Sequence, residues 1–370
     1  MRLSDVNPLS DLLHMGPADR GHEVGVRVAI TAVAPLLLVF FLDRMDLALY
    51  VTFGSMAGIY GRGQQHGPRL RSQLRAGVLM LVVLAAATVA GQMGVSETAD
   101  PWGLVWTTSL VSGFCALMCG LWSLRPGGSL FHIFAFAAVA SVPFKPAPLE
   151  GMLTALAVVV WAMLIGVASR VHPGRRHRIE WHRFERPDPE RLRIILWEAF
   201  WHLFAAALAG AIATLVLYPT GVGHNYWAMM AAVVPLVGHS TRYRVNRGLQ
   251  RIIGTFLGLL VTGLVVLLNP PPLALLLIVV ALQAYVETFV ARQYMLAMIG
   301  VTPMALLSLM LVSVTAGGAE SLVAAGGGQT LVDRFVETTI GAAVGVACVL
   351  FPLLWRKLVR RAPDAAVETR

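Results

Sequence analysis

Residues 226–262 read YWAMMAAVVPLVGHSTRYRVNRGLQRIIGTFLGLLVT, and the change of character along this stretch decides the fold. A short apolar run is broken by Pro235 and Gly238. An arginine-rich turn follows, and then a long apolar helix carries Arg244, Arg247 and Arg251 in its first turns. At 100° per residue these three share one stripe, which Gly254, Gly258 and Thr262 continue. The opposite face is Ile252, Phe256, Leu259, Leu260 and Leu264. In a bilayer, small residues mark where helices meet and large apolar ones face lipid. The stripe therefore predicts arginines that point into the protein.

Outward from this stretch the whole chain has the same character. It is 57% hydrophobic and 13% charged over 370 residues, outside the range of an ordinary soluble domain. Twelve apolar segments predict an all-α polytopic membrane protein: 26–42, 46–60, 74–94, 102–122, 129–144, 151–169, 194–217, 225–238, 249–268, 272–290, 294–314 and 331–355. A net charge of +9 would suggest nucleic acid in a soluble protein, but its distribution argues for a bilayer instead. With the amino terminus placed in the cytoplasm, only Arg44, Lys145 and Arg334 of the 29 Lys and Arg fall outside inner segments. That is the positive-inside pattern, and it predicts both termini cytoplasmic. No cleavable signal is apparent, because Asp5, Asp11 and Asp19 precede the first span.

The second half echoes the first. At a shift of 176, Tyr50, Arg71 and Arg75 fall on Tyr226, Arg247 and Arg251, and at a shift of 175 Glu23 and Arg27 fall on Glu198 and His202. Six spans in each half make two parallel six-helix repeats. Residues 1–24 are then a cytoplasmic N-terminal segment with an apolar patch at Leu9 to Met15, 25–170 the first membrane repeat, 171–193 a basic cytoplasmic linker, 194–355 the second repeat and 356–370 a cytoplasmic tail. The echo is imperfect, since Gly254 and Gly258 correspond to Val78 and Val82. Segments 2 and 8 are short and interrupted by Gly or Pro at matching positions, which points to a binding path between the halves.

The run HNYWAMMAAVVPL at 224–236, Arg247 and RIIGTFLG at 251–258 resemble the His-x-Tyr-Trp and Arg-x-x-Gly-Thr-x-x-Gly pattern of the fusaric acid resistance family of inner-membrane proteins. QYMLAMIGVTPMALL at 293–307 and DRFVETTIGAAVG at 333–345 resemble it too. The resemblance is clear over 194–355 and weaker over 25–170. It implies a bacterial inner-membrane exporter of aromatic or other organic acids, driven by the proton motive force. The family is related to the plant aluminium-activated malate transporters, which are anion channels that look like dimers of six-span units; this chain resembles two such units fused. Many members carry a large cytoplasmic domain that this sequence does not display, and His202 stands where the first half has Arg27.

Arg247, Arg251, Arg71, Arg75 and Arg244 are candidates for drawing organic anions inward, because guanidinium stays charged and binds carboxylate bidentately; the alternative is that they only set topology. Tyr226 and Trp227 would stack an aromatic substrate or serve as interfacial belt residues, the belt being favoured; His224 lies just outside them. Candidates for proton coupling are Glu198 with His202 one turn away, Glu287 one turn after Gln283, and Glu337 on the stripe of Arg334, Thr338, Gly341 and Gly345. Snorkelling or local ion pairing competes for each. Gly254, Gly258, Gly341 and Gly345 are expected to pack helices.

His132 reads as a hydrogen-bonded core histidine. His172, His177 and His182 recur every five residues and spread around a helix, and Cys115, Cys119 and Cys348 read as apolar packing residues, so no metal is expected. No cofactor is expected, since a nucleotide-binding loop and a nucleophile–base set are both lacking. The partners expected are the lipid bilayer and a small organic anion, with no nucleic acid, in a monomer or homo-oligomer that is not an enzyme. The alternatives are a passive organic-anion channel and a non-transporting scaffold or envelope-assembly partner.

Overall fold

In the computed structural model the described residues are 14–16, 21–95, 101–142, 146–168, 187–217, 225–238, 240–316, 319–325 and 327–365, without the side chains of 21–24, 316, 327–329 and 356–365. Lys145, His172, His177, His182, His224 and most of the apolar patch at Leu9 to Met15 lie outside the described residues. So do residues 171–186 of the 171–193 linker and the side chain of Glu23.

The described residues form twelve α-helices and no strand. They are α1 Gly21–Phe41, α2 Ala48–Ser55, α3 His66–Gln92, α4 Pro101–Leu121, α5 Leu130–Ser141, α6 Pro148–Ala168, α7 Pro189–Leu217, α8 Tyr226–Val233, α9 Thr241–Leu268, α10 Pro272–Phe289, α11 Tyr294–Ala316 and α12 Gly327–Ala365. Each apolar segment of the sequence holds one of them. Eight are long and apolar enough to cross a membrane: α3, α4, α6, α7, α9, α10, α11 and α12. Shorter apolar helical stretches are Gly25–Phe41, Met45–Ile59 and Leu130–Ser141, and α8 has only 8 residues. The chain is therefore a polytopic α-helical membrane protein.

Helices α3 and α9 start eight residues before their apolar segments, at His66 and Thr241. Hydropathy sees only the part that lipid must cover, whereas backbone hydrogen bonding runs on through the charged turns. At 1.5 Å per residue the 28 residues of α9 rise about 42 Å, against a hydrocarbon layer of about 30 Å. The surplus is its basic first turns. Ser240 caps this helix, its hydroxyl oxygen accepting from the Tyr243 N–H at 3.2 Å. At the other end Asn269 turns left-handed (φ 41°) and its N–H bonds to the carbonyls of Val265 and Val266. Helices α4, α6, α7 and α10 open on Pro101, Pro148, Pro189 and Pro272, where a missing N–H costs nothing.

The two short helices are the innermost. Every residue of α8 is buried, and so are Tyr50, Val51, Phe53, Gly54 and Ser55 of α2. A helix apolar on all sides belongs inside the protein. Around them the long helices expose Phe256, Leu260 and Leu264 of α9, Leu110 and Phe114 of α4 and Leu153 and Leu156 of α6. On α9 the expected division of faces largely appears: Arg251, Gly254, Gly258 and Thr262 are buried while Phe256, Leu260 and Leu264 are exposed. Leu259 is the exception, buried at the edge of the stripe.

Packing partners recur six helices on. Helix α3 packs on α5 and α6 as α9 packs on α11 and α12; α2 packs on α6 as α8 packs on α12; α1 packs on α2 and α6 as α7 packs on α8 and α12. Between the halves, α4 packs extensively on α7, and α10 packs on α1. These two seams exchange when the halves are exchanged.

Glycines set the closest approaches in the second half. A Cβ on Gly254 would stand 2.6 Å from the Met295 carbonyl oxygen and from Met298 Cβ of α11, and one on Gly258 2.8 Å from Thr302 Cβ. Gly341 and Gly345 of α12 face the backbone carbonyls of Ala228 and Ala232 in α8. In the first half, Val78 and Val82 are half exposed.

Candidate functional site

The α9 stripe, the start of α11, α8 and the N-terminal part of α12 bring cationic and aromatic side chains together in an otherwise apolar interior. Arg251 is 2% exposed; its Nη1 donates to the Tyr294 hydroxyl at 3.1 Å and to Met298 Sδ at 3.6 Å. One turn earlier Arg247 lies over the Tyr294 ring (4.1 Å to its centre) and donates to the Tyr243 hydroxyl at 3.0 Å. Arg244 is drawn to the end of α8, its Nε bonding to the Gly238 carbonyl at 2.9 Å.

Arg334 is the largest fully buried side chain. Its guanidinium carbon lies 3.6 Å from the centre of the Trp227 ring, a cation–π contact worth about 2 kcal/mol when desolvated. Its electrostatic neighbours are Arg251, Glu337, Tyr226 and Tyr294. Nε and Nη1 of Arg334, and Nε of Arg251 and of Arg247, have no hydrogen-bond partner within the protein. A buried donor left unmade costs about 1–3 kcal/mol, more when charged. A side chain held this way in a membrane protein is a functional candidate by default.

Next to this cluster is a cavity of about 160 Å³, lined by Leu49 of α2, Ala138 and Ser141 of α5, Leu306 and Ser313 of α11 and Thr330 of α12, with Tyr226 and Trp227 of α8 in its wall. It lies between elements of both halves. Cavities near 150 Å³ with apolar walls accept a benzene-sized ring.

The structure corrects several expectations. Tyr226 and Trp227 are not an interfacial belt: they are 3% and 2% exposed, because α8 sits inside the bundle. Arg334, counted from the sequence as an outer charge, is buried within α12. Glu198 is exposed while His202 is buried, with its Nδ1 2.9 Å from Ser129 Oγ, so the pair does not meet. Ser112 Oγ lies 2.8 Å from Ser129 Oγ and donates to the His202 carbonyl at 3.0 Å, which ties α4, the start of α5 and α7 together. His132 is fully buried, but neither ring nitrogen has a hydrogen-bond partner within the protein.

Arg71 and Arg75 occupy the place in α3 that Arg247 and Arg251 occupy in α9. Arg75 Nη1 donates to the Trp122 carbonyl at 3.3 Å, where the counterpart of Trp122 at a shift of 176 is Met298. Tyr50, the counterpart of Tyr226, shares a 2.7 Å hydrogen bond with Thr88. Glu287 is 3% exposed and lies 3.4 Å from Arg62 Nη2, which also donates to the Glu287 carbonyl at 2.7 Å; Gln283 Nε2 donates to Glu287 Oε1 at 3.2 Å. Glu337 and Thr338 are fully buried on the stripe that carries Arg334. Among the described residues no group of three or more His, Cys, Asp or Glu is placed to hold a metal. Cys115, Cys119 and Cys348 are buried free thiols.

Sequence reasoning overlooked Arg334 and Tyr294. Arg334 had a signal: it is a basic residue inside an apolar run, one turn from an equally misplaced Glu337. Tyr294 had none beyond its place in a motif.

Many apolar spans, two short buried helices and a cationic cluster beside a ring-sized cavity define a multi-pass membrane protein with buried positive charge in its interior. Residues 194–348 match the model of the fusaric acid resistance protein-like family. That segment contains α8, α9, α11 and the N-terminal part of α12, and hence the whole cationic cluster. A curated relative, the uncharacterized membrane protein YvaC of Bacillus subtilis (strain 168), is 26% identical over 145 residues, 39% of this chain and 21% of the relative. The match thus spans about a fifth of that relative's length. No solved structure matches the chain.

Proposed function

We propose that this protein is a bacterial inner-membrane transporter that exports an organic, ring-bearing carboxylate at the expense of the proton motive force, with no enzymatic step. The observation that carries the reading is the pair of buried guanidiniums, Arg251 and Arg334, beside a ring-sized cavity. The match of residues 194–348 to the fusaric acid resistance protein-like family model supports it, as the resemblance implies efflux of organic acids. The architecture proposed is two parallel six-helix repeats with both termini cytoplasmic. The matched packing of α1–α6 and α7–α12, and the exchange of the α4–α7 and α10–α1 seams, support it.

The anion enters from the basic side past Arg244 and Arg247, reaches Arg251 and Arg334, and leaves through the cavity walled by Tyr226 and Trp227. Arg71 and Arg75 have the equivalent place in the first half and share in gathering anions at the mouth. Of the proton-coupling candidates, burial favours Glu337 and Glu287 over the exposed Glu198.

The test is uptake of radiolabelled p-hydroxybenzoate into inside-out vesicles, with and without an imposed pH gradient, for wild type and Arg247→Gln/Arg251→Gln. Gradient-dependent accumulation in wild type, lost in the variant, is the expected result. Equal passive flux without accumulation would replace the carrier with an anion channel. Absence of flux for every acid tested would remove the transport reading.

A further inference from the structure

Resting on the anion-transport reading above, we propose that the basic end of the α1–α10 seam is a gate of the transport path, latched by Arg62 and Glu287, while the α4–α7 seam is the fixed axis about which the halves turn. Both seams join the halves, and they trade places when the halves are exchanged. What holds them together differs.

The α4–α7 seam is pinned along its whole length. At the basic end Arg191 Nη2 of α7 donates to Ser123 Oγ, just past α4, at 2.6 Å. Midway, Ser112 Oγ donates to the His202 carbonyl at 3.0 Å. At the far end Asn225 Nδ2 donates to the Pro101 carbonyl at 3.2 Å and to Thr214 Oγ1 at 3.1 Å, bridging the two helices. Between these ties glycines draw the backbones together: a Cβ on Gly113 would stand 3.0 Å from Leu203 Cβ, and one on Gly120 2.6 Å from Ile195 Cγ2. Proline occurs in these helices only as the first residue, Pro101 and Pro189, so neither helix is broken.

The α1–α10 seam is thinner. Of the 18 residues of α10 only Leu275, Leu276, Val279, Val286 and Glu287 are buried. Toward the start of α10 the seam is apolar, Val39 of α1 sharing a cluster with Leu275, Leu276 and Val279. At the basic end it is charged: Arg62 Nη2 lies 3.4 Å from Glu287 Oε2 and donates to the Glu287 carbonyl at 2.7 Å, and Arg27 Nη2 of α1 donates to the Arg62 carbonyl at 3.4 Å. Helix α1 carries Pro35 in its interior, which leaves the Thr31 carbonyl without its helical donor and gives the helix a place to bend. A charged contact at one end of such a seam opens at less cost than a seam whose ties and close backbone contacts must all part together. At a shift of 176 the counterparts of Arg62 and Glu287 are Gly238 and Val111, so the latch belongs to one seam only.

The latch also stands next to the arginines. Glu287 lies near the end of α10, before the turn that leads to Tyr294, which holds Arg251 by its hydroxyl and Arg247 by its ring. Gly254 keeps α9 against Met295 and Met298 of α11, so these two helices move as one body. When Arg62 lets go of Glu287, α10 leaves α1 together with α11 and α9, and water on the basic side reaches Tyr294 and Arg251 from between the halves.

The experiment sets two disulfide staples at the basic ends of the two seams. A Cβ on Gly25 of α1 would lie 3.4 Å from Glu287 Cβ, and one on Gly120 of α4 3.4 Å from Ile195 Cβ of α7, each close to the roughly 3.5–4.5 Å between the Cβ atoms of a disulfide. Downhill flux of radiolabelled p-hydroxybenzoate is measured in inside-out vesicles for wild type, Gly25→Cys/Glu287→Cys and Gly120→Cys/Ile195→Cys, each oxidised and then reduced. The α1–α10 pair is expected to carry at least about tenfold less flux oxidised than reduced, and recovery on reduction excludes misfolding. The α4–α7 pair is expected to carry the same flux in both states.

Independently of transport, the full chain with Gly25→Cys alone is labelled with a charged maleimide in lipid nanodiscs. Wild type, whose Cys115, Cys119 and Cys348 are buried, sets the background. Labelling is expected to be slow and to quicken at least about tenfold when Arg62→Gln removes the charge-assisted latch. Arg62→Gln without the added cysteine is expected to stay at background, which separates opening from unfolding. An oxidised α1–α10 pair that transports like its reduced form, an α4–α7 pair that is blocked when oxidised, or labelling unmoved by Arg62→Gln would each overturn the proposal while the anion-transport reading stands. If the reduced α1–α10 pair carries no flux, the labelling decides. Absence of flux in wild type would instead remove the transport reading on which the gate rests.

Discussion

Arg251 and Arg334 are both 2% exposed, yet neither has its full set of hydrogen bonds within the protein. A guanidinium retained only to fix topology would lie at a helix end with its charge in water, as Arg44 does between Asp46 and Glu150. Arg251→Gln keeps the bulk and part of the hydrogen bonding to Tyr294 while deleting the charge. Its folded yield and melting temperature should stay close to wild type, while anion binding falls at least about tenfold, as expected for a charge-assisted contact. Benzoate binding beside a detergent melt checks both; a variant that melts earlier but binds unchanged would assign Arg251 to stability.

The interrupted elements are where helices approach most closely, and their sequence reads most directly. The glycines of α9 and α12 were legible from their spacing, because a one-turn repeat of small residues in an apolar helix has few other uses. Gly341→Val would drive a side chain into the Ala228 carbonyl, an oxygen that cannot move without breaking α8. Loss of the folded protein is expected by size-exclusion chromatography. Gly263→Ala is the control: its Cβ would meet only Leu331 Cδ1 at 3.8 Å, and it should melt with wild type or slightly above, since Ala is the better helix former. What was not legible is the depth of α8. Tyr and Trp at the start of an apolar run look the same whether the helix faces lipid or is walled by α12, α7 and α5, and only tertiary packing distinguishes the cases. The same limit hid the separation of Glu198 from His202, since spacing puts them one turn apart and says little about which one the α4–α7 seam covers.

At the scale of the whole molecule, arginines of the two halves stand at equivalent positions of the repeat with different contacts, Arg75 against Trp122 and Arg251 against Tyr294 and Met298. Repeats read from sequence reveal equivalent positions but say nothing of distances between them. Among the polar ties that join the halves is an ion pair: Arg62, in the turn after α2, holds Glu287 of α10. Charge reversal by Arg62→Glu should lower the yield of folded protein, and the swap Arg62→Glu/Glu287→Arg should restore much of it; a double variant no better than the single would mean that the backbone contact matters and the charge does not. The central claim, that an organic anion rests between the cavity and the buried guanidiniums of the second half, is met most directly by the structure of the protein with 4-bromobenzoate bound, its bromine located by anomalous scattering. The account predicts one bromine per chain inside the cavity walled by Tyr226, Trp227 and Ser313, with the carboxylate toward Arg334. Bromine at the basic mouth alone, or in the first half, would contradict it.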